Sequence, residues 1–582
     1  MIKLQTLVFP GTDLPAPEDM YFHHNDRRVI SRLSDGLVDI PVRSATLTDT
    51  FFNGFSVGKW KSICNIDDLG LALTGSGRVI VRVGINVLDH ASRWLSEVEC
   101  VLSDTPTLIE IPAFPTLTDG ILFFQVLALE PATLTGGFYF TRTPPPNDVR
   151  LGVVVTHFNR KNYVLPAIRR VSEQVLADPD LAGRIALIVV DNSQNIAPEE
   201  AMGAVVIPNK NLGGAGGFTR GLLHLKDNGF SHCLFMDDDA SCEMEAIRRT
   251  FRIMQYAKQP NVAVAGSMMR EAAPYELHEA GAVYRDGSYY QIKKGLDLRN
   301  RDQLLLAEER SESIGYGGWW HFGFQIDQVK RFAFPFFVRG DDVLFSMTND
   351  FKIETMNGIG GWAEDFDIKE GPFTRYLGWR ATTLSYILTS NRSAKRLLRM
   401  YRRNIMGNLF SYNYASARAC SMALQDVMKG PQFWVDNLDM SDVRARMAVE
   451  CPGEKLGDIV FPDDIALGPK NEKKFHKLIR KLTLNGFALP ERMIRDQTVI
   501  DRKGFVGDLQ KIFKYRRVIY VAPNSGAGYM ASYDKKRFWE EYRLAKETAR
   551  EFAKQFDDLR QTYKAAFPEM TSEKFWRDVY SD

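Results

Sequence analysis

Leu234-Phe235-Met236-Asp237-Asp238-Asp239 is the stretch on which the reading of this chain turns. An apolar run of this kind is a buried strand, and here it runs straight into three carboxylates. In an extended chain, alternation places Asp237 and Asp239 on one side and Asp238 on the other. Two carboxylates facing one way at a strand's carboxyl end suit a hard divalent cation shared with phosphate oxygens. The same cluster also reads as an acidic turn capping the helix that begins near Ser241, where the helix dipole favours negative charge.

The neighbouring segments favour the first reading. Leu151-Gly152-Val153-Val154-Val155 is a second buried-strand run, ending in Thr156-His157-Phe158-Asn159-Arg160. Apolar residues at 164, 165, 168, 171 and 175 then recur at helical spacing. Further strands are predicted at Ile185–Val190, Ala204–Ile207, Cys233–Met236 and Val262–Ala265, with helices from about Gly214 and Glu243. Strands alternating with helices predict a parallel α/β sheet that binds ligands at its carboxyl edge. Three strand ends deliver polar groups to that edge. They describe a nucleotide pocket, with Arg160 near base or phosphate, Asp191 and Asn192 near the base, Asp237 near ribose and metal, and Thr156, Phe158 and Asp238 as further donor contacts.

Asn211-Leu212-Gly213-Gly214-Ala215-Gly216-Gly217 is not a dinucleotide fingerprint. Asn211, Gly213 and Gly214 can bring backbone close to a phosphate at a helix N-terminus; the alternative is helix–strand packing. Downstream, Gly318-Trp319-Trp320-His321 offers indoles for stacking on a sugar, or a hydrophobic plug. Val338-Arg339-Gly340-Asp341-Asp342 supplies a second acidic pair, able to take a proton from an acceptor hydroxyl or to form an exposed turn. His278, in Glu276-Leu277-His278-Glu279, is an acceptor-site candidate or a surface histidine.

Two flanking regions differ in rhythm. Residues 1–148 show short β-branched and aromatic runs between Gly, Asp, Pro and Thr clusters, which predicts a β-sandwich or jelly roll ending at Pro144-Pro145-Pro146. Residues 149–395 form the α/β unit, and 396–582 are charged and helix-rich. Within the latter, Lys470–Leu482 carries Phe475, Leu478, Ile479 and Leu482 at helical spacing among lysines. That stripe suits an anionic membrane surface or docking onto the catalytic unit.

Composition narrows the class. The 582 residues are 45% hydrophobic, and 74 Lys+Arg against 72 Asp+Glu leave a net charge of +2. That gives no global electrostatic case for nucleic acid. No run approaches the roughly 18–20 apolar residues of a membrane span. The N-terminus has Pro and Asp where a signal peptide carries its apolar stretch. Six cysteines without CxxC spacing read as reduced thiols of a cytoplasmic protein.

Taken in order, these motifs resemble glycosyltransferase family 2 with its GT-A fold, and within it the UDP-galactofuranosyl transferases that polymerise cell-wall galactan. The resemblance rests on T-H-F-N-R at 156–160, N-L-G-G-A-G-G-F at 211–218, F-M-D-D-D at 235–239, G-W-W at 318–320 and D-D at 341–342. Asp49–Trp60 and Gly136-Gly137-Phe138-Tyr139 extend it into the β region. It implies an inverting transfer from a UDP-sugar to a hydroxyl of a growing, lipid-linked glycan at the cytoplasmic membrane face. Asp237 and Asp239 would hold Mg²⁺ or Mn²⁺ against the diphosphate. Arg160 and Asn192 would contact UDP, and Trp319 and Trp320 would shape the acceptor site. Asp342 would be the base, with Asp341 beside it. It also allows a homo-oligomer. One position departs from the family: Trp362-Ala363 stands where a Trp-His pair completes the metal site, leaving Glu364 or Asp365 to supply an oxygen. Other nucleotide-sugar donors, such as UDP-galactose, UDP-glucose or dTDP-rhamnose, fit the same motifs. So does a glycan-binding scaffold with a decayed site, against which the retained acidic clusters argue.

Overall fold

The computed structural model describes residues 1–238, 241–309, 312–468, 472–523 and 525–581. The N-terminal strands pair only antiparallel, around one long strand, Gly70–Asn86. Its first half pairs with Ala132–Thr141 and Thr107–Glu110, and its second half with Ile121–Ala128 and Arg93–Leu102. The change of partners falls at Gly77, whose φ of +92° and closeness to the Pro131 carbonyl exclude a side chain. This β region is fastened to the helix Glu245–Tyr256. Thr6 N donates to Glu245 Oε1 (2.7 Å), and buried Arg249 donates to the carbonyls of Phe52 and Asn357. One hydrophobic core continues from Leu4 through Trp60 and Val153 to Trp362.

The central sheet has the strand order 205–208, 185–191, 151–157, 232–237, 322–325, 262–265, 352–354. The first four are parallel, as the apolar runs predict. Phe322–Gln325 is antiparallel to both neighbours, so the sheet is mixed. The helix Gly213–Asp227 lies directly on the strand Leu151–His157. A Cβ at Gly217 would meet Thr156 Cγ2 at 2.6 Å, and one at Gly221 would meet Val154 Cγ1 at 2.3 Å. Those glycines therefore serve packing.

The sequence pattern predicts helices alone after residue 396. The structure has them, including Ala394–Phe410, Tyr414–Met428 and the 36-residue Lys535–Met570, but adds a four-stranded sheet. In it Arg495–Arg502 pairs parallel with Tyr515–Val521, which pairs antiparallel with Gly528–Ser532. The helix Pro372–Thr389 shares a core with these C-terminal helices. The last helix, Glu573–Ser581, returns to the central sheet. Buried Trp576 Nε1 donates to the Ala333 carbonyl (2.8 Å), and Tyr580 Oη donates to the Gly216 carbonyl (2.5 Å). Among the described residues no helix is long and apolar enough to cross a membrane. The six cysteines are free thiols, five of them buried.

Candidate active site

A cleft of about 750 Å³ opens at the carboxyl end of the strand His232–Asp237. Of the residues singled out from sequence, Gly214, Asp237, His278, Trp319, Trp320, Asp341 and Asp342 line it. Alternation at the strand end separates the two described aspartates. Asp237 faces the cleft, whereas Asp238 turns toward Arg160, whose Nη1 donates to its Oδ1 (2.9 Å), and toward buried His157, whose Nδ1 is 3.4 Å from Oδ2. Arg160 also stacks on Tyr163. Asp239 lies outside the described residues.

The other donor-side residues form a shelf beside the cleft rather than its wall. Thr156 ends the first strand against Gly217, and Phe158 is exposed. Asn192 N donates to the His157 carbonyl (2.9 Å), and its Oδ1 accepts from Asn209 Nδ2 (2.8 Å). Asn211 Oδ1 accepts from Gly213 N (3.1 Å). Asp191 differs from its expected place at a base. Its oxygens accept from Ser193 N and Oγ, Asn195 N and Ile196 N at 2.7–3.0 Å, so it organises its own loop. Burial pushes that carboxyl up, but these donors outweigh burial and hold it below the usual range.

The second acidic pair is not an exposed turn. Asp341 and Asp342 begin the helix Asp341–Thr348, and the chain reaches it through a left-handed stretch: φ is +73° at Phe337, +71° at Arg339 and +84° at Gly340. Such non-glycine conformations cost on the order of 1–3 kcal/mol each and persist where surrounding structure imposes them. Here the Phe337 carbonyl accepts from Ala215 N (3.0 Å) and leaves no room for a Cβ on Gly213, whose φ is +68°. A Cβ on Gly214 would stand 3.2 Å from Asp341 Oδ2. The strained loop thus locks the glycine helix against the acidic pair.

Burial, helped by Asp342 and Asp237, raises the Asp341 carboxyl well above its ordinary value. Burial also pushes Asp342 up to about 6, against its own helix N-terminus and Arg339, which favour the charged form. Of the two, the more buried Asp341 holds the proton and Asp342 is the one that ionises near neutrality. Glu279 is a residue the sequence reading missed. It is 4% exposed, lines the cleft, and its Oε1 has no hydrogen-bond partner among the described residues. Burial and nearby Asp342 push it up to about 8. The signal available was its place beside His278 in the Glu-Leu-His-Glu run. His278 packs against Phe366, and burial lowers it to about 4, so its imidazole is neutral.

The paired tryptophans divide their work. Trp319 packs edge-on against Phe218, Phe235 and Phe345 in the core and only borders the cleft. Trp320 is fixed by Nε1 donating to the Gly266 carbonyl (2.9 Å). The C-terminal sheet and the loop that follows its strand Arg495–Arg502 add Arg502 and Phe505 to the cleft wall. On the same wall, Arg270 holds Asp365 through two 2.7 Å bonds, which keeps that carboxylate ionised.

Among the described residues there is no cluster of three or more His, Cys, Asp or Glu that would hold a cation alone. Asp237 nevertheless faces the cleft beside Asp341, and a magnesium-like ion needs only one or two carboxylates plus substrate phosphates. The donor set fits such an ion. Glu364 does not line the cleft and lies 3.9 Å from Lys369, while Ala363 offers no ligand.

Residues 152–303 match the glycosyl transferase family 2 domain, and residues 520–582 match galactofuranosyltransferase-2, domain 3. The galactofuranosyltransferase GlfT2 of Mycolicibacterium smegmatis is 22% identical over 91% of this chain and 88% of its own length. The GlfT2 of Mycobacterium tuberculosis is also 22% identical, over 90% and 89%. The chain is a glycosyltransferase that carries a family 2 domain. Solved structures similar to this glycosyltransferase include a mannosyltransferase from Pyrobaculum calidifontis in complex with GDP-Man and Mn²⁺, at 14% identity and a TM-score of 0.28 over 52% of this chain and 82% of that one. Another is GalNAc-T7 with UDP, GalNAc and Mn²⁺, at 10% identity and a TM-score of 0.33 over 55% and 60%.

Proposed function

We propose that this glycosyltransferase moves galactofuranose from UDP-galactofuranose to a hydroxyl of a growing, lipid-linked glycan with inversion at the anomeric carbon. One observation carries the mechanism: Asp342 opens a helix inside the cleft with a carboxyl poised near 6, opposite the strand end that presents Asp237. An ionised Asp342 takes the proton of the acceptor hydroxyl as that oxygen attacks the anomeric carbon. Single in-line displacement inverts the configuration. UDP is already a good leaving group, so no general acid is needed. Asp237, with Asp239, would hold Mg²⁺ or Mn²⁺, which when bound neutralises charge developing on the diphosphate. Arg160 and Asn192 serve the UDP shelf. Trp320, His278 and Glu279 serve the acceptor, with the N-terminal β-sandwich a further glycan contact. The choice of sugar is supported by the two similar galactofuranosyltransferases.

The test is a donor panel with purified protein and Mn²⁺ or Mg²⁺, read as release of the nucleoside diphosphate. A sharp preference for UDP-galactofuranose is expected. Equal or better use of UDP-galactose, UDP-glucose or dTDP-rhamnose would overturn the sugar assignment while leaving the transferase chemistry in place.

A further inference from the structure

The segment from Val329 to Gly340 carries neither helix nor strand, yet it delivers the acidic pair to the cleft. Its carbonyls at 331, 333, 336 and 337 accept from groups outside it. Arg331 accepts from Asn349 Nδ2 (2.9 Å), Ala333 from Trp576 Nε1 (2.8 Å), Phe336 from the buried Arg380 guanidinium and Phe337 from Ala215 N (3.0 Å). Phe332 N in turn donates to the Thr571 carbonyl (2.8 Å). A segment held in this way keeps left-handed backbone at Phe337, Arg339 and Gly340 only while its neighbours impose it.

The helix Glu573–Ser581 reaches both sides of that joint. Trp576 and Tyr580, one turn apart, share a face and stack at 5.6 Å. Trp576 is buried and holds the Ala333 carbonyl. Tyr580 Oη holds the carbonyl of Gly216, within the helix Gly213–Asp227, and the Arg220 guanidinium lies 5.0 Å over its ring. The first turn of that same helix presses Gly213 on the Phe337 carbonyl and sets Gly214 beside Asp341. One short helix therefore grips the approach to Asp342 and the helix that flanks Asp341, and it fixes their mutual register. Its outer side is tied separately, by Arg577 to Asp227 and Glu573. Those are exposed ion pairs of small worth.

We propose that Trp576 and Tyr580 are positioning residues for the acidic pair: by holding the Ala333 and Gly216 carbonyls they keep Asp342 where it meets an acceptor hydroxyl. Neither ring lines the cleft, so both act through the backbone they hold. A misplacement of about 1 Å at a reacting group can cost about 10²-fold in rate. Donor binding is spared, because Gly217 and Gly221 seat the glycine helix on the strand Leu151–His157 independently of the clamp. The role rests on the reading of Asp342 as the base.

The experiment uses the full chain with UDP-galactofuranose, Mn²⁺ and a soluble galactofuranoside acceptor, read as UDP release. Trp576→Phe/Tyr580→Phe removes both donors and keeps both rings. Its kcat should fall about 10–100-fold, while donor KM and calorimetric UDP binding stay within about threefold. Hydrogen exchange at the Ala215 amide should quicken at least about tenfold, as the joint with Phe337 opens more often. Tyr580→Phe alone deletes one oxygen and should lose about three- to tenfold in kcat, which keeps the test decisive if the double variant misfolds. Arg577→Ala loosens the same helix from outside and should keep kcat within about twofold. Wild-type kcat in the double variant, or an equal fall in Arg577→Ala, overturns the proposal. So does a rise in donor KM matching the fall in kcat, which would mark a collapsed donor pocket. Asp342→Asn, run alongside, separates the two readings. Near-normal turnover there overturns the base and the positioning role together. Lost turnover there, beside wild-type kcat in the double variant, overturns the positioning role alone.

Discussion

The two sides of the cleft, which we propose serve donor and acceptor, hold their carboxylates in opposite ways. On the donor side Asp238 is buried and accepts from the Arg160 guanidinium, with His157 behind it, and this leaves Asp237 as the group turned to the cleft. On the acceptor side Asp341, Asp342 and Glu279 are crowded together with little cationic relief, and burial moves all three toward the protonated form. A permanently charged carboxylate serves cations and phosphates. A carboxyl poised near the working pH serves proton transfer. The contrast assigns roles that residue type alone leaves open, since every one of these groups is an Asp or a Glu.

The sharpest way to break the contrast is Asp342→Asn. If Asp342 is the base, turnover falls by about 10²–10⁴-fold while UDP binding by calorimetry is unchanged. Near-normal turnover would remove the acceptor side from the chemistry. The wild-type rate should also decline as pH falls through about 6, because protonation silences the base.

On the donor side, Asp237→Ala with Asp239→Ala should abolish the cation-dependent part of UDP binding. Chelation of the wild type should do the same. Unchanged calorimetric binding in both cases would refute the metal site. A smaller effect is expected from Arg160→Ala. It deletes one hydrogen bond to a charged group, worth about 1.5–3 kcal/mol, and should weaken UDP binding about 10–100-fold. An equal loss of turnover at saturating donor would mean that Arg160 acts on the chemistry instead.

The difference between the two sides also shows what could be read in advance. Strand 232–237 and its neighbours were legible because parallel strands buried on both faces are continuous apolar runs, and their ends mark the ligand edge. Asp237 stands at such an end, whereas Asp342 follows an irregular stretch and was read from its acidic pair. Asp191 was read near the base, and its oxygens also organise their own loop, because a strand-end aspartate looks the same in either role. The glycines of 213–221 split between two roles, and only the distances to Phe337, Asp341 and Val154 separate them. The C-terminal sheet was not legible because Arg495–Arg502 is mostly polar, with only Val499 and Ile500 apolar, in a region dominated by helices, so Arg502 and Phe505 were not expected at the cleft. Glu279 carries no signal of its own beside His278, yet burial pushes the glutamate up to about 8 and the histidine down to about 4.

The smallest predicted effect tests that glutamate. At pH 7 Glu279, raised to about 8, is largely protonated, so it can donate a hydrogen bond in the cleft without adding charge beside Asp342. Above pH 8 it ionises, loses its proton for donation and repels the neighbouring carboxylate. The wild-type rate should therefore show a second limb near 8. Glu279→Gln keeps a donor and cannot ionise, so it should lose that limb, retain the one near 6 and stay within about threefold of wild type at pH 7. Stability gives an independent readout. The folded chain binds this proton more tightly than the unfolded chain, whose glutamate titrates near 4.5. Folding stability should therefore decline as pH rises from about 4.5 to about 8, and the glutamine variant should show a shallower decline in its melting temperature. An unaltered rate profile together with an unaltered stability slope would show that Glu279 carries no proton at neutral pH, and that the acceptor side is less shielded from charge than its burial implies.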